Sequence, residues 1–179
     1  MKAQERRQAL LKFISESRAP VTGSELARAF NVSRQVIVSD IAILRAEGAQ
    51  IIATPQGYTL IGPAMGPLQR RLVACRHSRA ETEDELMIMV DSGAQVLDVI
   101  VEHPIYGQLT GNLFLRTRDD VKRFIRLMED TGASLLSSLT GGVHLHTLAV
   151  PDESTFARVR DALAARGYLL SPTAEKPLS

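Results

Sequence analysis

Ser24-Glu25-Leu26-Ala27-Arg28-Ala29-Phe30-Asn31-Val32-Ser33-Arg34-Gln35-Val36-Ile37-Val38-Ser39-Asp40-Ile41 carries two helical periodicities separated by three residues. Leu26, Ala27 and Phe30 make the apolar stripe of a helix of barely two turns, for which Ser24 is the expected N-cap. Val36, Ile37, Ile41 and Leu44 make the stripe of a longer helix over residues 34–47, capped by Ser33. Two helices joined by so tight a connection form a helix-turn-helix. Upstream, Leu10, Leu11, Phe13 and Ile14 predict an amphipathic helix over residues 4–17, which Arg18-Ala19-Pro20 ends. Downstream of Gly48 the rhythm becomes that of strands, with residues 49–54 and 58–61 flanking Pro55-Gln56-Gly57, a hairpin in the place of a wing.

In a winged helix-turn-helix the second helix of the pair offers its N-terminal and outer residues to the major groove, here Ser33, Arg34, Gln35, Val38 and Ser39. Arg can contact guanine with two hydrogen bonds and Gln can contact adenine, while a serine and the amides at the helix start hold phosphate. Such helices also serve as protein-docking modules. The capped helix opening on Arg-Gln, the hairpin behind it and the local charge favour DNA. Residues 1–65 hold eight Lys and Arg against five Asp and Glu, whereas residues 66–179 hold 13 against 15, so the net charge of +1 conceals a basic N-terminal part.

The loop Ile61-Gly62-Pro63-Ala64-Met65-Gly66-Pro67 breaks helix and strand alike and divides the chain into expected domains of residues 1–65 and 66–179. A hydrophobic share of 45% in 179 residues suits a folded protein and argues against disorder. No run approaches the ~18 apolar residues of a membrane span, and charges interrupt any signal-peptide core, so no membrane partner and a cytoplasmic location are expected. Cys75, the one cysteine, can form no intrachain disulfide and reads as a small buried hydrophobe. The tail from Ser171 reads as loose.

The second domain reads as α+β, an antiparallel sheet with packed helices. Strands are expected at residues 69–77, 96–103 and 109–115, with Pro104-Ile105-Tyr106-Gly107 as a hairpin turn. Helices are expected at 81–91, from Thr117 to Thr131, and from Pro151 to Arg166. Residues 135–139 and 143–150 are expected to pair around Thr140-Gly141-Gly142, and Tyr168-Leu169-Leu170 to add a short strand.

All four histidines lie in this domain. His144-Leu145-His146 on a strand sends both imidazoles to one face, with Leu145 and Leu148 expected on the other. Imidazole is the commonest protein ligand of divalent transition metals, and His77 with Glu85 best completes a four-ligand set; spacing alone equally allows His144 and His146 to be an exposed surface pair. Glu81, Glu83 and Asp84 compete with Glu85 as the acid. His103, before Pro104, reads either as a satisfied strand-end histidine or as a donor to an anionic ligand.

A winged helix joined to Val101-Glu102-His103-Pro104-Ile105-Tyr106-Gly107 and Leu139-Thr140-Gly141-Gly142-Val143-His144-Leu145-His146-Thr147 resembles the bacterial nicotinate-responsive repressors of NAD biosynthesis genes. Their C-terminal part is the three-histidine domain, and the resemblance spans nearly the whole chain. It implies a dimeric repressor of NAD-synthesis and niacin-uptake genes, with nicotinic acid as co-repressor. By the same likeness one divalent metal per chain, nickel, zinc or a similar ion, is held by His77, Glu85, His144 and His146. A pyridine carboxylate could take the metal's open position and pair with a nearby arginine, for which Arg76 and Arg79 are the candidates, with His103 a further contact.

A dimer with two reading helices predicts a palindromic operator with half-sites about 34 Å apart or a multiple of that. The expected dimer surface is the sheet edge or the terminal helix. Two rival readings stand beside this one. A metal-responsive repressor would need no organic effector, and a metal-dependent enzyme would use the same centre with Glu102 or His103 as base. The chain has no phosphate-binding glycine loop, nucleophile elbow or His-Glu-x-x-His helix to support the latter.

Overall fold

A computed structural model describes residues 2–60 and 68–170. The expected interdomain loop and the tail from Ser171 lie outside the described residues. The chain divides into two compact units, residues 1–65 and 66–179.

The first unit contains α1 (Ala3–Glu16), α2 (Gly23–Ala29), α3 (Arg34–Ala46), β1 (Ile51–Thr54) and β2 (Gly57–Leu60). Leu10, Ile14, Leu26, Ile37, Ile41, Leu44 and Ile51 form its core. Phe13, expected inside, is 42% exposed and meets the Phe30 ring edge-on at 6.0 Å. The cap of α2 is Thr22 rather than Ser24. The Thr22 hydroxyl accepts from Glu25 N at 3.2 Å while the Glu25 carboxylate accepts from Thr22 N at 2.8 Å, a reciprocal pair that the three-residue spacing allows and Ser24, already inside the first turn, cannot make. Asn31 takes the left-handed conformation (φ 51°) in the turn between α2 and α3.

The wing is an antiparallel β1–β2 pair, extended by a bridge between Val21 and Tyr58. Gly57 (φ 130°) makes that bridge possible, since a Cβ there would come within 2.5 Å of the Val21 carbonyl.

The second unit contains β3 (Gln69–Arg76), α4 (Thr82–Asp91), β4 (Gln95–His103), β5 (Gly107–Leu115), α5 (Arg118–Thr131), β6 (Val143–Val150) and α6 (Glu153–Ala165). The sheet order is β3-β6-β4-β5, with every neighbouring pair antiparallel. Val73, Cys75, Val96, Leu113, Leu115, Leu148 and Val150 from the strands pack with Leu86 and Met89 of α4, Val121, Ile125 and Met128 of α5, and Phe156, Val159 and Leu163 of α6. One sheet face therefore takes all three helices.

Four local expectations fail here. Residues 135–139 do not pair with β6. Leu136–Thr140 is a 3₁₀ segment, because β6 already has β3 and β4 on its two sides and Leu136 instead packs over Gly111, whose missing side chain leaves it room. Leu148 is buried on the same face as His144 and His146, as the two-residue period of a strand requires; Leu145 is the exposed one. Tyr168–Leu170 contributes a single bridge, Leu169 to Cys75, rather than a strand. Finally, α6 starts at Glu153 after Pro151, because the Asp152 side chain caps it by accepting from Thr155 N at 2.7 Å.

Candidate functional site

Three elements converge on one carboxylate. His77 follows the last residue of β3, His144 and His146 lie on the central strand β6, and Glu85 sits in the first turn of α4 over that face of the sheet. The Glu85 side chain is 1% exposed, and those of His77, His144 and His146 are 2%, 2% and 3% exposed. The Nε2 atoms lie 2.7 Å (His77 to Oε2), 3.0 Å (His144 to Oε1) and 3.4 Å (His146 to Oε2) from the Glu85 carboxylate. Of the four acids at the start of α4, only Glu85 faces the histidines. Glu81 accepts from Ser78 N and Oγ, Glu83 is exposed, and Asp84 accepts from the Tyr168 hydroxyl and pairs with Arg166.

The other ring nitrogens fix the orientation. Nδ1 of His77 donates to the Ser78 carbonyl at 2.8 Å, Nδ1 of His144 to the Gly142 carbonyl at 2.8 Å, and Nδ1 of His146 to the Asp98 carbonyl at 2.6 Å. A carbonyl can only accept, so each Nδ1 carries a proton, and in the neutral form of a ring Nε2 presents a bare lone pair to the carboxylate. Gly142 (φ 92°) is required for this arrangement: its backbone lies against His77, and a Cβ would collide with the His77 carbonyl oxygen.

Such a set is electrostatically incomplete without a cation. Lone pairs facing lone pairs repel unless protons or a metal stand between them. The Nε2 of His77 stands 2.7 Å from Glu85 and, with the ring proton on Nδ1, is a buried polar atom with no hydrogen-bond partner. In the absence of metal, protons fill part of the need. Burial opposes charge on His77 and His146, but the Glu85 carboxylate outweighs it and raises both. Burial likewise opposes ionisation of Glu85, and the charge on His146 with the three imidazole contacts holds its pKa well below the carboxylate range. Three oriented imidazoles and one carboxylate suit a borderline divalent transition ion, so the residues fit the metal that the resemblance implies.

Cys75 belongs to this neighbourhood too. Its Sγ lies within 4.8 Å of a Glu85 oxygen and a His144 nitrogen, because Cys75 is the register partner of His144. Burial, reinforced by Glu85, pushes its thiol far up, so it stands protonated beside the site. Strand parity with Val73 was the only signal available for this proximity.

The cluster forms one pole of a cavity of about 30 Å³ whose remaining wall is mostly apolar, including Val99, Leu113, Phe124, Leu135 and Leu136. Arg76, Arg79 and His103 do not line it. Arg76 is exposed, on the parity opposite Cys75. Arg79 donates to the Ala133 carbonyl at 3.0 Å. Nδ1 of His103 accepts from the amides of Ile105 and Tyr106 at 3.2 and 3.3 Å, which makes it a satisfied strand-end histidine.

In the first unit, the Ser33 hydroxyl caps α3 by accepting from Val36 N at 3.3 Å. Arg34, Gln35, Val38 and Ser39 are exposed along α3, opposite Ile37, Ile41 and Leu44. Asp40, missed in the sequence because it reads as a surface acid, is 3% exposed. It accepts from Arg6 Nε at 2.7 Å and lies 3.8 Å from Arg7, tying α1 to α3.

Residues 70–172 match the 3H domain and residues 6–59 match an HTH domain. The chain is similar to the transcription repressor NadR of Bacillus subtilis, 47% identical over 167 residues that cover 92% of this chain and 93% of that protein. It is also similar to the probable transcription repressor NiaR of Thermotoga maritima, 44% identical over 167 residues, covering 93% and 94%.

Proposed function

The chain belongs to the family of helix-turn-helix transcription repressors with a C-terminal 3H domain, and on that premise we propose that it represses NAD-biosynthesis and niacin-uptake genes with nicotinic acid as co-repressor. It acts in the cytoplasm as a homodimer on a palindromic operator. Ser33, Arg34, Gln35, Val38 and Ser39 read and grip the DNA, and His77, Glu85, His144 and His146 hold one divalent metal per chain. The observation that carries the sensing half is the convergence of three tautomer-locked Nε2 atoms on Glu85.

The charge of that pole supports a monoanionic effector. The metal supplies a fixed double positive charge. Three neutral imidazoles add none and Glu85 removes one, which leaves a single positive charge beside an apolar wall. Burying such a charge is costly unless a counter-ion completes it, and a flat aromatic carboxylate supplies both the charge and the apolar ring. Nicotinamide has the ring without the charge. His77, His144 and His146 keep their lone pairs aimed through their carbonyl bonds.

Control of DNA binding then needs only that nicotinate bind the operator-competent arrangement of the dimer more tightly than the others.

A second reading draws on the size of the cavity. About 30 Å³ holds a water or two, and a pyridine ring requires a movement of the lining that enlarges the cavity. A repressor sensing the metal alone would need no such movement. Operator binding followed by fluorescence anisotropy at stated salt separates the two. Tightening by nicotinate and not by nicotinamide supports the co-repressor reading, whereas dependence on metal with no response to either compound supports metal sensing.

A further inference from the structure

Thr82 is 6% exposed, and its hydroxyl is buried with no hydrogen-bond partner. It lines the cavity beside His77, His144 and His146. It opens α4 three residues before Glu85, which places both on one helix face. The Thr82 backbone N–H is satisfied by the Arg79 carbonyl, so only the side-chain oxygen is orphaned. An orphaned buried hydroxyl is destabilising, and valine would fill the same volume without that cost. A buried hydroxyl without a partner on a residue that lines the cavity has its use when something enters.

We infer that Thr82 is an effector contact: its hydroxyl hydrogen-bonds an aromatic monocarboxylate held in the cavity between the three-histidine pole and the apolar wall. This inference rests on the co-repressor reading above and adds to it a neutral recognition residue, since the arginines expected beside His77 do not line the cavity. The contact is a neutral donor to an ionised acceptor, and its loss leaves one lone-pair position of the carboxylate without a donor.

The test is isothermal titration of nicotinate into the metal-loaded full chain, with metal content and thermal stability measured on the same samples. Thr82→Val removes the hydroxyl and keeps the shape; Thr82→Ser keeps the hydroxyl. The expected result is a nicotinate affinity weakened roughly tenfold or more in Thr82→Val and retained within about threefold in Thr82→Ser. Metal content stays at the wild-type level in both, and the effector-free melting temperature of Thr82→Val does not fall. Wild-type affinity in Thr82→Val overturns the inference, and so does equal loss in Thr82→Ser, which would mark a packing role. A wild-type protein that takes up metal but binds no nicotinate overturns the co-repressor reading instead.

Discussion

His77 Nε2 and Glu85 Oε2 stand 2.7 Å apart without a hydrogen bond between them, both on side chains almost wholly buried. Without a proton or a metal ion between them, neither group satisfies the other. His77 is held by its bond to the Ser78 carbonyl and Glu85 by its place on α4, so their proximity is imposed by the fold and asks for a cation.

Glu85→Gln tests that demand while keeping the shape. It removes the anionic ligand, and metal affinity should fall by at least about 100-fold, read by metal content after dialysis against a weak chelator. Unchanged metal content would place the ion elsewhere.

The metal-free protein should show its own pH signature. His77 and His146 are raised above their ordinary 6.5, so the stability they contribute is complete below pH 6.5 and is lost as pH rises through their raised values. Glu85 is lowered below its ordinary 4.5, so its contribution is present above pH 4.5 and is lost as pH falls through the lowered value. Melting temperature of the chelated protein should therefore fall on going from pH 6 to alkaline pH. Metal loading should reverse that slope, because bound metal replaces the protons. A chelated protein that gains stability with rising pH would contradict the electrostatics described.

Arg34→Ala should relax base preference at one operator position and cost roughly 1–3 kcal/mol on the preferred sequence. Uniform weakening across all sequences would assign Arg34 to phosphate instead. Competition binding with operators substituted one position at a time decides.

Arg76→Ala should leave nicotinate affinity and metal content at wild-type levels, because the side chain is exposed and does not line the cavity. A marked loss of affinity would require Arg76 to reach the ligand by a rearrangement.

Asp40→Asn should lower the melting temperature of the first unit and weaken operator binding, since it loosens α1 from α3, while metal content stays unchanged. Circular dichroism melts and anisotropy on one preparation check both.

Much of this was legible in the chain. The helix-turn-helix could be read because Leu26, Ile37, Ile41 and Leu44 keep a helical period and Ser33 stands where a cap must stand. His144 and His146 could be placed on one face because a strand repeats every two residues; the same rule puts Leu148 with them and Arg76 opposite Cys75. The 3₁₀ segment over Gly111 was hidden, since Leu135 and Leu136 have the character of a strand and only the crowding of β6 excludes one. Thr82 and Asp40 were hidden for a related reason: an orphaned hydroxyl and a buried acid are defined by what surrounds them, and neither changes the local periodicity.

The measurement that tests the account most directly is a nicotinate titration of operator affinity on one preparation in three states, metal-loaded, chelated and reloaded, with His144→Ala beside it. The account predicts that nicotinate tightens operator binding in the loaded and reloaded protein and has no effect in the chelated protein or in His144→Ala. An equal nicotinate effect in all of them would contradict it, because the effector would then be read without the three-histidine centre.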